Sequence, residues 1–246
     1  MERRARIAVG AVVAFYVLTR LGLLWRFPPF WDESFYGVEG QTAFDDPAQR
    51  FAALTDGKGP LLDWLSALLV GQGFHPLSAV RTVSFLAGMV TLGAVGLVGR
   101  LLGGLAVGLV AAALYVVLPL FLVHDSIGVV DPLVSAAAAM ALYLQLRLAR
   151  RPEAVTAIAL GVALTAGILA KQTGMFALVL LPVSLVCFDW RAEGRRERVL
   201  RWVGCAALAL VITAVGHAVL RLSPLHDRLP QTTAALHQFR PLGEAL

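Results

Sequence analysis

Two adjacent acidic residues lie in an aromatic stretch, "FWDESFY", at positions 30–36. Asp32 and Glu33 could simply be solvated loop charges. In a partly dry aromatic setting, however, a carboxylate can act as a general base near neutral pH. In that case the two acids would have different roles. One would act on a substrate hydroxyl, and the other would orient it or hold a metal ion. Both interpretations are open from these residues alone.

A lone lysine follows in a turn-forming context, "DGKGPLL". Gly57, Gly59 and Pro60 predict a tight turn before an apolar stretch. Such a turn would hold the ammonium of Lys58 at the depth of lipid headgroups, where it could bind a phosphate. The alternative is a lysine that snorkels to the interface, which is common in membrane proteins.

The segment "HDSIGVVDP" carries a further candidate carboxylate. Asp131 precedes Pro132, a pattern that is typical of a helix N-cap and needs no catalysis. It is also a candidate second carboxylate of a site, and Asp125 is the competing choice. His124 next to Asp125 suggests a pair of metal ligands, although two residues are a weak pattern.

Two isolated cations complete the set of candidates. Lys171, in "AKQTG", ends an apolar run, and a cation is favoured at a helix C-terminus by the helix dipole. Arg20 lies inside an apolar run, where an ionisable side chain is costly and is usually paired or functional. We expect its partner within residues 27–40, in a position to support Asp32.

The composition indicates a membrane protein that would position these residues. The chain has 246 residues, of which 58% are hydrophobic, and its mean hydropathy is +0.75. These values exceed those of ordinary soluble domains. The net charge of +5 comes from Arg clusters between apolar segments, so it does not indicate nucleic-acid binding. Cys187 and Cys205 lie in apolar segments, and we predict no disulfide.

Seven apolar segments are long enough to be predicted as spans, and an eighth is ambiguous. The eighth, at 60–74, is short and carries Asp63. If it crossed the membrane, the later Arg clusters would lie outside, against the positive-inside rule. We therefore predict an interfacial helix there. The predicted spans are 7–26, 80–99, 104–123, 132–149, 154–170, 174–189 and 200–221.

This topology places the acidic segments on one side of the membrane. The N-terminus, with Arg3, Arg4 and Arg6, is predicted to be cytoplasmic, and residue 246 to be outside. The first run has no small-residue cleavage site, which favours an uncleaved helix over a signal peptide. The chain is predicted to be one domain, 1–246, of a multi-pass plasma-membrane protein, with an outer loop at 27–79. Its last residues look like the opening of a loop, so it is possible that the chain is a fragment.

Several motifs occur in an order that resembles the GT-C glycosyltransferases that use polyprenyl-phosphate sugars. The likeness is to the branch of protein O-mannosyltransferases and aminoarabinose transferases, and it covers roughly residues 15 to 180. The motifs that carry it are Arg20, "WDESFY", "KGPLLDWLSALL", "VRTVSFLAG", "GVVDPLVSAAAAMALYL" and "AKQTG".

The resemblance implies roles for particular residues. Asp32 would be the catalytic base, Lys58 would contact the lipid-linked phosphate, and Asp131 would be the acid of the second outer loop. The fold implied is an all-α polytopic transmembrane bundle of about seven spans with an outer interfacial helix. Two features depart from the family: Gly59 replaces the usual first proline, and family members continue with further spans.

The function expected is transfer of a sugar from a polyprenyl-phosphate donor to an acceptor on the extracytoplasmic face, with inversion. Asp32 would be supported by Glu33, and the donor phosphate would be bound by Lys58, Arg81 and Lys171. Membrane lipid and the lipid-linked sugar are the expected partners, with the acceptor unknown and no nucleic acid. A divalent metal is possible and is left open. The alternatives are a non-catalytic or truncated GT-C-like protein and a small transporter.

Overall fold

The computed structural model describes residues 2–190 and 193–225, which are helical and contain no β-strand. This confirms the predicted all-α class. Arg191 of the predicted inner basic cluster and residues 226–246 of the predicted outer segment lie outside these ranges. The α-helices are α1 (Glu2–Leu24), α2 (Trp31–Asp45), α3 (Leu61–Val70), α4 (Pro76–Val117), α5 (Pro119–His124), α6 (Asp131–Arg150), α7 (Ala154–Ala170), α8 (Leu180–Val183) and α9 (Arg195–Ala218).

The long helix α4 is a hairpin of two arms. Gly104 interrupts it with φ 83° and ψ −176°, a backbone conformation that strongly favours glycine. The arms then pack so closely that a Cβ atom on Gly99 would lie 2.9 Å from the Cα of Gly108. The two arms, 76–103 and 105–117, correspond to the second and third predicted spans.

Helical segments lie on all seven predicted spans. Four described helices are long and apolar enough to cross a membrane, at Arg3–Leu24, Pro76–Val117, Asp131–Arg150 and Arg195–Leu222. The second of these is the α4 hairpin and accounts for two spans. Shorter apolar segments at Ala154–Ala170 and Gln172–Cys187 account for the remaining two.

The segment Gln172–Cys187 is mostly 3-10 helix, with only the single turn of α8 inside it. A 3-10 helix rises about 2.0 Å per residue and an α-helix about 1.5 Å, so the 3-10 residues and the turn of α8 together extend about 30 Å, enough to match a bilayer core. Pro182 lies in this segment and has no N–H to donate, which interrupts regular α-helical hydrogen bonding.

The predicted outer loop 27–79 is largely helical, which corrects the interpretation of its first half. Residues 31–45 form α2, so Asp32 and Glu33 lie in the first turn of a helix. Acidic side chains are favoured there by the helix dipole, and the carboxylate of Glu33 accepts a hydrogen bond from the N–H of Phe30 at 2.9 Å. Within the predicted interfacial segment 60–74, the α-helix is α3.

Four apolar clusters pack the described bundle, and two of them join most of the helices that carry the candidate residues. One joins α6, α7 and α9 through residues that include Leu148, Leu160 and Leu164. The other joins α2, α3, the first arm of α4 and the ends of α6 and α7. Its buried members are Tyr36, Leu62, Val80, Val83, Val129, Val130 and Ala170.

Candidate active site

Glu33 is fully buried, and its carboxylate accepts four hydrogen bonds. One oxygen accepts from the N–H of Phe30 at 2.9 Å and from Nη2 of Arg81. The other accepts from Nε of Arg81 at 3.0 Å and from the N–H of Gly128 at 2.8 Å. Burial acts to raise the pKa of Glu33, but these bonds outweigh it and hold the pKa below its usual value.

Arg81 is also buried, and carbonyls at the end of α1 accept its remaining bonds. Nη1 donates to the carbonyl of Leu24, and Nη2 donates to that of Phe27 at 3.1 Å. The guanidinium is therefore enclosed by protein and is not exposed for a donor phosphate, contrary to the sequence-based prediction. We call Glu33 and Arg81 the closed network, because together they tie α1, α2, α4 and the 125–130 turn to one another.

Asp32 has the opposite environment. Its side chain is exposed. Among residues 2–190 and 193–225 its carboxylate has no hydrogen bond or ion pair. Successive positions on a helix point about 100° apart, so the neighbour of a buried acid can face outward. Asp32 is thus an exposed carboxylate without a partner among the described residues, attached to a backbone that the closed network fixes.

Lys58 lies against the face of α2. Its Nζ is 4.7 Å from the ring centroid of Phe35 and 4.5 Å from that of Tyr36. A cation over two aromatic faces is held by the ring quadrupoles. No carboxylate in the described part of the chain forms an ion pair with it, so its charge is available to an anionic ligand.

The turn that carries Lys58 is packed against the end of α7. Gly57 has φ 71°, and a Cβ atom on Gly59 would lie 2.0 Å from the carbonyl oxygen of Leu169. Only glycine fits at position 59, which gives a reason for its presence in place of the proline expected from the resemblance. The ammonium of Lys58 is consequently positioned by backbone packing as well as by the aromatic rings.

Asp131 and Lys171 form an ion pair of 3.2 Å, and both side chains are about half exposed. Asp131 is the first residue of α6, and the N-cap residue is Val130, so the predicted N-cap role is wrong by one position. Lys171 is the C-cap residue of α7, next to the turn of Lys58. The two predicted site residues are therefore brought together by the helix ends.

The electrostatic environment of Tyr36 indicates that the candidate acidic residues and Lys58 lie near one another. Burial raises the pKa of its hydroxyl, and the negative charges of Asp131, Asp32, Glu39 and Asp63 raise it further. Asp131 and Asp32 are thus close enough to Tyr36, and to Lys58 on its ring, to share one electrostatic environment. We call Asp32, Lys58, Asp131 and Lys171 the open cluster.

Two carboxyls that were not singled out from the sequence lie behind Lys58. Burial raises the pKa of Glu39 to about 7, and the charge of Lys58 opposes this. Burial raises the pKa of Asp63 to about 8, with the charge of Glu39 adding to the effect. One carboxylate oxygen of Glu39 is buried without a hydrogen-bond partner. The spacing of Asp32, Tyr36 and Glu39 would have placed them on one face, had residues 31–45 been recognised as a helix.

Arg20 is paired, but not with Asp32, so the predicted partner is wrong. Its Nε lies 3.7 Å from the carboxylate of Asp125, and Nη1 donates to the carbonyl of Val116 at 2.7 Å. Asp125 also accepts from the hydroxyl of Tyr115 at 3.0 Å. Asp125 is fully enclosed in this second network, which leaves Asp131 as the exposed carboxylate of the two candidates.

His124 contacts its own helix. Its Nδ1 lies 2.9 Å from the carbonyl oxygen of Leu120. No group of three His, Cys, Asp or Glu side chains with metal-binding geometry is found in the part of the chain that the structure describes. Among the described residues, Asp32 and Asp131 are the exposed carboxylates of the candidate site, and Asp131 is paired with Lys171.

The fold of the chain matches that of a solved structure. The structure of the S. cerevisiae protein O-mannosyltransferase Pmt1–Pmt2 complex bound to the sugar donor matches 89% of this chain at a TM-score of 0.65 and 18% identity. This chain covers 34% of that one. The fold is therefore that of the GT-C glycosyltransferases.

The sequence assigns the chain to a family within this class. Residues 57–217 match the dolichyl-phosphate-mannose-protein mannosyltransferase family, and the chain belongs to it. No curated protein matches the chain significantly by sequence. The family match includes Lys58, Arg81, Asp131 and Lys171 and begins after α2, whereas the structural match extends over most of the chain.

Proposed function

We propose that this chain carries the catalytic residues of a membrane glycosyltransferase that moves mannose from a polyprenyl-phosphate donor to an acceptor hydroxyl. The observation that carries the proposal is the contrast between Asp32 and Glu33: an exposed carboxylate sits on a backbone that a buried, fully hydrogen-bonded neighbour holds in place. Family membership supports the chemistry, and the proximity of Lys58 supports an anionic donor.

Asp32 acts as the general base. Its carboxylate takes the proton of the acceptor hydroxyl while the hydroxyl oxygen bonds to the anomeric carbon. The bond between that carbon and the phosphate oxygen breaks, and the lipid phosphate leaves as an anion. One displacement inverts the anomeric configuration. Asp32 then releases its proton to water.

Lys58 stabilises the departing phosphate. Negative charge grows on the phosphate as the bond breaks, and a fixed ammonium stabilises this charge without reorganising. Lys171 provides a second positive charge, and Asp131 holds it. Arg81 is a positioning residue, because it holds the backbone that carries Asp32. The sequence predicts that Arg81 binds the donor phosphate, and we assign that role to Lys58 and Lys171 instead.

The experiment is mannosyl transfer by the complete gene product in proteoliposomes. The wild type is compared with Asp32→Asn, and with Asp45→Asn at the exposed far end of α2 as the matched control. We expect Asp32→Asn to bind donor and to lose transfer, the control to be unaffected, and the product to have the anomeric configuration opposite to that of the donor. A product of retained configuration would overturn the single displacement.

We further propose that the open cluster faces the extracytoplasmic side, with the N-terminus in the cytoplasm. The arginine-rich ends of α1, α6 and α9 support this orientation. Single cysteines at Gln72 and Leu102, both exposed, test it after Cys187 and Cys205 are replaced by alanine. Membrane-impermeant labelling of position 72 from outside and of position 102 only from inside is expected, and the reverse pattern would contradict the orientation.

A further inference from the structure

An apolar cavity lies at the end of the bundle opposite to the open cluster. It is an apolar cleft of about 320 Å³ between α1 and the α4 hairpin. Val12 and Val13 line one wall, and Met89 and Leu92 line the other. Gly93 leaves space at one side of the cleft, because a Cβ atom added there would have no other atom within 4 Å. Apart from Arg100, every residue that lines this cleft is apolar or glycine.

The cleft leads into a wider, basic mouth. This mouth has a volume of about 790 Å³ and is lined by Arg4, Arg6 and Arg100. Val9, Arg100, Leu105 and Leu109 line both cavities, so the two are continuous. Among the side chains that the structure describes, no acidic one lines either of them.

The arginines at the mouth are placed to receive an anion. Arg4 and Arg100 are exposed, and among residues 2–190 and 193–225 neither has a hydrogen bond or ion pair. Arg6 adds a third positive charge. An arginine fork is suited to a phosphate, because its N–H groups can pair with two oxygens at once.

The basic mouth lies at the level along α1 that is expected for a membrane surface. Arg4 and Leu24 are twenty residues apart on α1, which corresponds to about 30 Å along the helix and to the thickness of a bilayer core. Leu24 contacts the closed network through its carbonyl. With that end of α1 at one interface, the arginines lie among the headgroups of the other leaflet.

We infer that this cleft is a binding site for an anionic phospholipid, with one acyl chain between α1 and the α4 hairpin and the phosphate on Arg4 and Arg100. A free phosphate would leave the apolar cleft empty. An uncharged lipid without a phosphate would leave Arg4 and Arg100 without an anionic partner, and a zwitterionic phospholipid would add a cationic headgroup to a mouth that is already basic. The combination of a chain-shaped apolar cavity and a basic mouth fits a lipid of this charge. The site lies about a membrane thickness away from the proposed catalytic residues.

The test is photocrosslinking of the complete protein in nanodiscs with phosphatidylglycerol that carries a photoreactive group on its acyl chain. Arg4→Gln and Arg100→Gln remove the phosphate contacts, and Arg3→Gln is the control, since it removes the same charge at the same end outside the cleft. Gly93→Leu fills the cleft, and Gly204→Leu on α9, where a Cβ atom also meets nothing within 4 Å, controls for the added side chain.

We expect crosslinks on Val12, Met89 or Leu92 that unlabelled phosphatidylglycerol competes away and that phosphatidylcholine and inorganic phosphate do not. Each arginine substitution should weaken retention about fivefold, and Arg3→Gln should not. Gly93→Leu should abolish the crosslinks and Gly204→Leu should preserve them. Equal labelling by phosphatidylcholine, an equal loss in Arg3→Gln, or a protein segment found in the cleft would overturn the inference.

Discussion

The closed network and the open cluster use the same kinds of side chain in contrasting ways, and one member of each, Glu33 and Asp32, are adjacent in the sequence. Glu33 and Arg81 are buried, and their charged atoms are hydrogen-bonded to one another and to the backbone. Asp131 and Lys171 are half exposed, and Asp32 is unpaired within the described residues. The comparison teaches that the buried pair specifies the position of the backbone, whereas the exposed groups remain available to a ligand.

The largest effect on stability is expected from the closed network. Arg81→Leu leaves the carboxylate of Glu33 buried without its counter-charge, and removing one partner of such a pair typically costs about 3–5 kcal/mol. Thermal unfolding in detergent measures this, with the exposed Arg26→Leu as the control for loss of an arginine. If the two variants unfold at the same temperature, Arg81 does not have the structural role assigned to it.

The next effect is expected on donor binding, at Lys58. Lys58→Ala removes a charged partner of the proposed phosphate and should weaken donor affinity by about 1.5–3 kcal/mol. Arg50→Ala, which removes an exposed positive charge on the same outer segment, is the control. Unchanged donor affinity in Lys58→Ala would mean that this lysine only snorkels to the membrane surface.

Glu39 and Asp63 predict a pH dependence of stability. Their folded pKa values, about 7 and about 8, lie above their ordinary values near 4, so between these limits the folded protein binds more protons than the unfolded chain. Stability should therefore fall as the pH rises from about 4 to about 8. Asp63→Asn should flatten this decline, and Asp45→Asn should not; equal slopes in both variants would contradict the assignment.

The smallest effect on stability is expected from the exposed ion pair. Asp131→Asn should change the free energy of unfolding by less than about 1 kcal/mol, because solvent screens such pairs. Its effect on transfer should be larger than its effect on unfolding, since Lys171 would lose its orientation. A destabilisation comparable to that of Arg81→Leu would remove the distinction between the two regions.

The spans could be predicted from the sequence, whereas the ion pairs could not. Hydropathy and the positions of arginine are local signals, and a helical segment of the described chain lies on each of the seven spans that they predict. The partner of Arg20 is Asp125, more than a hundred residues along the chain, and nothing local indicates that pairing. The helix α2 was missed because "WDESFYGVEGQTAFD" contains two glycines and lacks a clear apolar periodicity, and its first turn depends on the buried pair of Glu33 and Arg81.

The most direct test of the division between the two regions compares Asp32→Asn with Glu33→Gln in the complete protein, with both transfer rate and unfolding temperature measured at matched expression. Asp32→Asn should lower the rate by about 10²–10⁴-fold and leave the unfolding temperature unchanged, because it removes a positioned base from an exposed site. Glu33→Gln should lower the unfolding temperature and, where the protein is still folded, cost less in rate. Near-normal turnover in Asp32→Asn, or a greater loss of rate in Glu33→Gln, would show that Asp32 is not the base.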